Sequence, residues 1–391
     1  MHTFDPAAAT AAYLATFPAE AHARAVAYTH GGQWMLLWGW LVAIAIAAVV
    51  LRTGVLVRIR RRIEGARRRP WLATLGVIAI ASLLETVLSF AWTAYADWWR
   101  EKQYGLSNQD FGAWFGERAT GFGLSFIMGL VVISLLYALI RRAPRTWWAW
   151  GGGLSAALIV GLIVISPIVI EPIFNTYTPA PPGPVRDAVV RMAEANGVPS
   201  DKIYVYDGSR QSDRYTANVS GLFGSARVAM SDAMFRKGAD LAEVKAVVGH
   251  EMGHFAHRHV LWTAGVFALL AVLAFWLADR LFPLAALLGA EGVTGIADPA
   301  GWPVLTALLA TISLLATPFI NTLIRMEETD ADRFSLERVR EPDGLAKALV
   351  KTIEYRAASP GAVEEILFYD HPSVERRIRR AMDWKAANPD G

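Results

Sequence analysis

Cysteine is absent from the 391 residues. That excludes disulfides, thiolate zinc sites, iron–sulfur clusters and a cysteine nucleophile, so any metal here must be held by nitrogen and oxygen. Charge is sparse too: 19% of residues are charged against 54% hydrophobic, with 15 tryptophans among the latter. A soluble globule is less apolar than this. The net charge of +3 is too small to direct the chain to nucleic acid, and none is expected as a partner. Residues 1–30 are alanine-rich and lack a basic leader followed by an apolar core, so insertion must come from internal segments.

Those segments are present. Six stretches are apolar over about the 20 residues that a bilayer crossing takes: about 34–57, 72–97, 121–140, 147–170, 260–282 and 303–324. In hydrocarbon each backbone amide must find its partner within the segment, which predicts helices. Tryptophans near their ends suit the membrane interface. Between the fourth and fifth stretches, residues 173–259 read as water-facing. "TPAPPGP" is a stiff connector, and "VRDAVVRMAEANGV" has helical period and a glycine stop. "KIYVYDG" alternates as a strand does, and "RYTANVSGLFGSARVAMSD" predicts strand–turn–strand with the turn at Gly221 and Gly224. A helix is expected from about 241 to 259, and a charged helical tail over 325–391. The fold class is therefore mainly α: a polytopic membrane protein with about six transmembrane helices and a small β-hairpin or sheet. Two regions are expected. Residues 1–172 hold four spans, and 173–391 carry the chemistry, including a two-span hairpin over about 260–324.

Charge is placed unevenly. Eight arginines lie between Arg52 and Arg69, after the first span, and Arg141, Arg142 and Arg145 follow the third. Short basic loops stay in the cytoplasm. Both the N-terminus and the 173–259 segment are then expected on the extracytoplasmic side. Arginines that bind lipid headgroups or pack on the protein are the other reading.

The chemistry concentrates in "AVVGHEMGHFAHRH", residues 246–259, which holds four of the eight histidines. On a helix, residues i and i+4 share a face, so His250 and His254 can direct two imidazole nitrogens at one zinc. Glu251 then stands beside the metal as the general base of an H-E-x-x-H hydrolase. A catalytic zinc takes three protein ligands and keeps one position open. "NTLIRMEETDADRF", 321–334, offers the third. Glu327 and Glu328 project about 100° apart, so only one can face the metal. Glu328 shares a face with Asp332, so Glu328 as ligand and Asp332 as the acceptor that orients a ligand histidine form a coherent set. A solvated acidic face and a structural histidine pair are the alternatives. His257 and His259 lie off the His250/His254 face and are expected to mark the membrane interface. His371 precedes a proline, is held extended and could be presented from a loop, with a structural histidine as the alternative.

These residues resemble the CAAX prenyl protease 1 family of integral-membrane zinc endopeptidases. The resemblance runs in order through "EKQYGLSNQ", "EPIFNTYTP", "YTANVSGLFGSARVAMSD", "VVGHEMGHFAHRH", "NTLIRMEETDADRF" and "HPSVERRI". It covers the chain from about residue 20 to its end. It implies a helical barrel around a water-filled chamber, with one Zn2+ per chain at its rim. It implies His250, His254 and Glu328 as ligands and Glu251 as base, with His371 and Arg377 near the reacting peptide or supporting the site. The substrate would extend along the edge strand that bears Asn218. Expected partners are a peptide or lipidated peptide and membrane lipids, and a monomer suffices. The family usually has seven spans and a cytosolic catalytic domain; here six are counted and the arginine loops point the other way. The alanine- and arginine-rich composition suggests a prokaryotic host, hence a bacterial inner membrane. Quality-control proteolysis of membrane proteins is a second reading, and an inactive scaffold or transport protein with structural histidines a third.

Overall fold

Six helices long and apolar enough to cross a membrane occur in the structure, a computed structural model that describes residues 4–65, 69–236 and 239–389. Their α-helical parts are Ala19–Thr53, Pro70–Ala94, Phe111–Arg142, Trp147–Ile165, His259–Leu281 and Trp302–Arg338. Their outer faces carry apolar side chains that water would not tolerate in such density. Val87, Ile127, Leu269 and Leu315 are 70%, 66%, 70% and 75% exposed, as lipid-facing residues would be. Inward, polar residues gather instead. Thr86, Ser89, Thr93, Glu117 and Arg118 border a cavity of about 550 Å³ between the second and third long helices.

Several helices outrun their apolar stretches. The last is a single rod of 37 residues from Trp302 to Arg338, with Pro318 inside it. Once nucleated, a helix continues through polar sequence at little cost. The acidic stretch with Glu328 and Asp332 is therefore rigidly continuous with a membrane span.

The segment after the fourth span folds as a four-stranded mixed sheet rather than a lone hairpin. β1 (Tyr177–Pro179), β2 (Ile203–Tyr206), β3 (Ala217–Ser220) and β4 (Arg227–Ser231) are ordered β1-β2-β4-β3, with only β2 and β4 parallel. β3 and β4 are the expected strand–turn–strand unit, with Asn218 opposite Ala229. Gly221 turns the chain at φ 96°, where a side chain would be strained. β1 lies in the stretch read as a connector; it pairs with β2 and covers that edge. β4 is buried along its whole length, so no in–out alternation marks it. Val228 and Met230 of β4 pack with Val244, Val248 and Met252 of the helix Leu241–Ala256. β3 is left as an edge beside that helix.

The histidine helix is shorter than expected. It ends at Ala256, Arg258 takes a left-handed conformation at φ 56°, and His259 opens the next helix. The break redirects the chain from the soluble segment into the fifth span.

On the opposite side, Arg60 is buried, paired with Asp298 and donating to the Gly292 carbonyl. This joins the loop after the first span to the loop between the fifth and sixth. Arg52, Arg58, Arg61 and Arg62 are exposed there; Arg67 and Arg68 lie outside the described residues.

Candidate metal centre

The helix Leu241–Ala256 begins where the Asp240 carboxylate caps the Ala242 amide at 2.9 Å. Its apolar face, Val244, Val248 and Met252, is buried against the sheet. A second face carries Gly249 and Gly253, and the long helix Trp302–Arg338 lies directly on it. A Cβ at Gly253 would stand 3.0 Å from both Ala331 Cα and Phe334 Cβ, closer than packed carbons tolerate. Ser335 Oγ ties the two helices by donating to the Ala246 carbonyl at 2.8 Å. The glycines of "GHEMGH" thus let the backbones approach until a short acidic side chain on one helix reaches the imidazoles of the other.

That side chain is Glu328. Its Oε2 lies 3.1 Å from His250 Nε2 and its Oε1 3.3 Å from His254 Nε2, while the two Nε2 atoms are 3.1 Å apart. Donors about 2.0–2.1 Å from one tetrahedral ion stand about 3.3 Å apart, so this triangle fits such an ion. The chemistry of the donors agrees. His250 Nδ1 lies 3.0 Å from Asp332 Oδ1 and donates to it, which leaves Nε2 with its lone pair facing the cluster. Glu328 Oε2 is buried without a hydrogen bond. Lone pairs that converge in a largely buried site repel one another unless a cation lies between them.

Asp332 is itself held. Arg377, buried at 7% exposure, grips both its oxygens at 2.7 Å from Nε and Nη2. Burial pulls the guanidinium pKa down, but Asp332 outweighs it and the fork stays charged. Arg377 Nη2 also comes within 3.8 Å of Glu328 Oε2. Arg377, expected near the peptide or supporting the site, makes its hydrogen bonds to Asp332.

Glu251 borders a cavity of about 390 Å³ together with His250, Glu328, His371 and Arg377. Burial raises the Glu251 carboxyl pKa, opposed by the two imidazoles. His371 Nε2 stands 3.2 Å from Glu328 Oε2, and its Nδ1 donates to Asp370 at 2.8 Å. Burial pulls the His371 ring below the ordinary imidazole range, while Asp370 and Glu328 pull it up. Arg325 Nη1 fixes the loop that presents this ring by donating to the Glu365 carbonyl at 2.8 Å and to that of Tyr369.

Glu327 turns away from the triangle to accept a hydrogen bond from Thr263 at 2.5 Å. On the β3 edge, Asn218 Oδ1 is buried without a partner. His259, expected at the membrane interface, opens the fifth span and is 9% exposed, with Nδ1 2.9 Å from His254 Nδ1. Sequence also passed over Arg356 and Asp370, which flank His371. No spacing rule points to either, although Asp370 precedes His371 directly.

Comparison with known proteins agrees with this architecture. Residues 179–385, more than half of the chain, match the model of peptidase family M48. Residues 6–176 match that of the CAAX prenyl protease N-terminal region, described as five membrane helices, of which four candidate spans are present here. "Uncharacterized metalloprotease YhfN" of Bacillus subtilis is 27% identical over 85% of this chain and 79% of that protein. CAAX prenyl protease 1 of Saccharomyces cerevisiae is 24% identical over 78% of this chain and 71% of that protein. The crystal structure of S. mikatae Ste24p superposes with a TM-score of 0.77 at 19% identity, covering 94% of this chain and 90% of that one. By these matches the chain belongs to peptidase family M48, as a multi-pass membrane metallopeptidase of the CAAX prenyl protease type.

Proposed function

We propose that the protein is a zinc-dependent endopeptidase that cuts peptides delivered from the membrane, with C-terminal processing of CAAX type as the leading case. The observation that carries this reading is the triangle of His250, His254 and Glu328 donors, drawn from two helices far apart in sequence. These three would hold one Zn2+, which when bound polarises a scissile carbonyl and makes water acidic enough to ionise near neutral pH. Glu251 takes the proton of the attacking water and passes it to the departing amide nitrogen; its raised pKa suits a base of this kind. His371, which donates to Asp370 through Nδ1, leaves its Nε2 lone pair beside Glu328 at the edge of the cavity, where it can accept a hydrogen bond. Asp332 and Arg377 hold His250 in register.

The substrate path follows from β3. Val219–Gly221 border an apolar cavity of about 820 Å³ that reaches His254 and is walled by Leu162, Ile163, Val260 and Phe267 of two membrane helices. Arg214 and Tyr215, just before β3, border the 390 Å³ cavity on the other side of the centre. A peptide that adds to the free β3 edge, with Asn218 as a side-chain partner, would connect the two cavities across the donor triangle. A large apolar or lipidated side chain is the natural occupant of the first. We read residues 1–172 as the membrane scaffold and 173–391 as the peptidase unit.

Metal content tests the central claim. Purified protein is expected to hold one zinc per chain, and His254→Ala close to none, with cleavage lost in parallel. Wild-type protein without zinc, or a variant that keeps it, would end the metallopeptidase assignment of these residues.

For topology, we propose a bacterial inner membrane with the catalytic side extracytoplasmic, on the strength of the arginines exposed on the opposite side. Reporter fusions after residues 65 and 391 should report opposite sides, with the first cytoplasmic. A cytoplasmic signal from the second alone would reverse the orientation.

A further inference from the structure

Outside the donor triangle, three side chains meet at the junction between the histidine helix and the fifth span. His259 Nδ1 lies 2.9 Å from His254 Nδ1, and His259 Nε2 lies 3.1 Å from Asp330 Oδ2. His257 Nδ1 contacts the same Asp330 oxygen. We propose that His259 and Asp330 are positioning residues: a relay that fixes the tautomer and orientation of His254 from outside the ligand set. The inference rests on the metal-centre reading given above.

The proton logic leaves one arrangement. His254 presents Nε2 to Glu328 and His250, so its lone pair is needed there and its proton belongs on Nδ1. His259 Nδ1 faces that proton and must accept it. The neutral His259 ring then carries its own proton on Nε2, directed at the Asp330 carboxylate. Each ligand histidine thus gains an anionic anchor: His250 directly from Asp332, His254 through one intervening imidazole from Asp330. The two anchors differ in strength. Asp332 is buried and bound to Arg377, whereas the Asp330 side chain is 44% exposed and shared with His257. Its pull on the metal is therefore the weaker.

His257, His259 and Asp330 could instead be donors to a second cation, since their ligand atoms also lie close together. The same proton count argues against it. A cation at His259 Nε2 would displace the proton to Nδ1, where it would meet the proton of His254 head-on. The left-handed turn at Arg258 is what brings His259 back over His254; a continuous helix would have carried it around the axis.

Three substitutions separate a relay from simple packing. His259→Phe fills the space but cannot accept a proton, and zinc affinity, read by competition with a chromogenic chelator, is expected to fall about 10- to 100-fold. His259→Gln offers an oxygen to His254 and an amide to Asp330, and should recover most of that loss although it fills the space less well. Asp330→Asn should fall between wild type and His259→Phe. His259→Phe at wild-type affinity, or a glutamine variant no better than the phenylalanine one, would overturn the relay. So would a second zinc in the wild type that His257→Ala removes. If wild-type protein binds no zinc at all, the metal centre itself is wrong, a result distinct from an intact centre that ignores His259.

Discussion

Glu251→Gln is expected to keep the metal and lower kcat about 10²- to 10⁴-fold, the range that a positioned general base contributes. Glutamine preserves the shape of the side chain and leaves His250, His254 and Glu328 untouched. What it removes is the site that accepts a proton from water. The loss should fall on kcat with little change in KM, because glutamine keeps the shape of the side chain that borders the 390 Å³ cavity and leaves β3 and the apolar cavity untouched. The pH profile gives a second check. Glu251 acts as the carboxylate, so activity declines as pH falls through its pKa, and burial places that decline above the ordinary carboxylate range. The acid limb should vanish from the residual activity of the glutamine variant. Zinc analysis beside a peptide-cleavage assay is sufficient, and a zinc-loaded variant that turns over within twofold of wild type would remove Glu251 from the reaction.

Asp332→Asn should strike structure and metal together. Asp332 is 2% exposed and receives three hydrogen bonds, one from His250 Nδ1 and two from Arg377. Neutralising it leaves the Arg377 guanidinium buried without its counter-charge, a change that costs about 3–5 kcal/mol when a buried pair is broken from one side. His250 also loses its charged anchor, so zinc affinity should drop about 10- to 100-fold. Thermal unfolding in detergent reads the first effect and chelator competition the second. Replacing both partners, Asp332→Leu with Arg377→Met, should be less destabilising than Asp332→Asn alone, since no orphaned charge remains. If Asp332→Asn matches wild type in melting temperature and zinc affinity, the network does not support the site.

Much of the architecture was legible because bilayer chemistry is severe. A long apolar run with at most two charges satisfies its backbone in lipid as a helix, so the six spans could be placed from residue order alone. The H-E-x-x-H spacing was equally readable, because the helix period puts positions 250 and 254 on one face whatever surrounds them. The sheet was less so. β2, β3 and β4 were expected as strands, but β1 is only three residues long, and the parallel pairing of β2 with β4 joins segments that no local pattern connects. The helix boundary at Ala256 was misplaced because the break depends on the left-handed turn at Arg258, which no glycine or proline announces.

The sequence by itself pointed to the membrane spans, the pair of imidazoles, the glutamate between them and an acidic candidate for a third donor, through local period, the chemistry of residue types and the family resemblance. Tertiary structure alone decided how those groups are held. Arg377 takes the oxygens of Asp332 across 45 residues, Asp330 meets His259 across 71, and Arg325 holds the loop that presents His371 from 40 residues away. Such partners are chosen by the close approach of whole helices, here made possible at Gly249 and Gly253. No window of local sequence contains that distance.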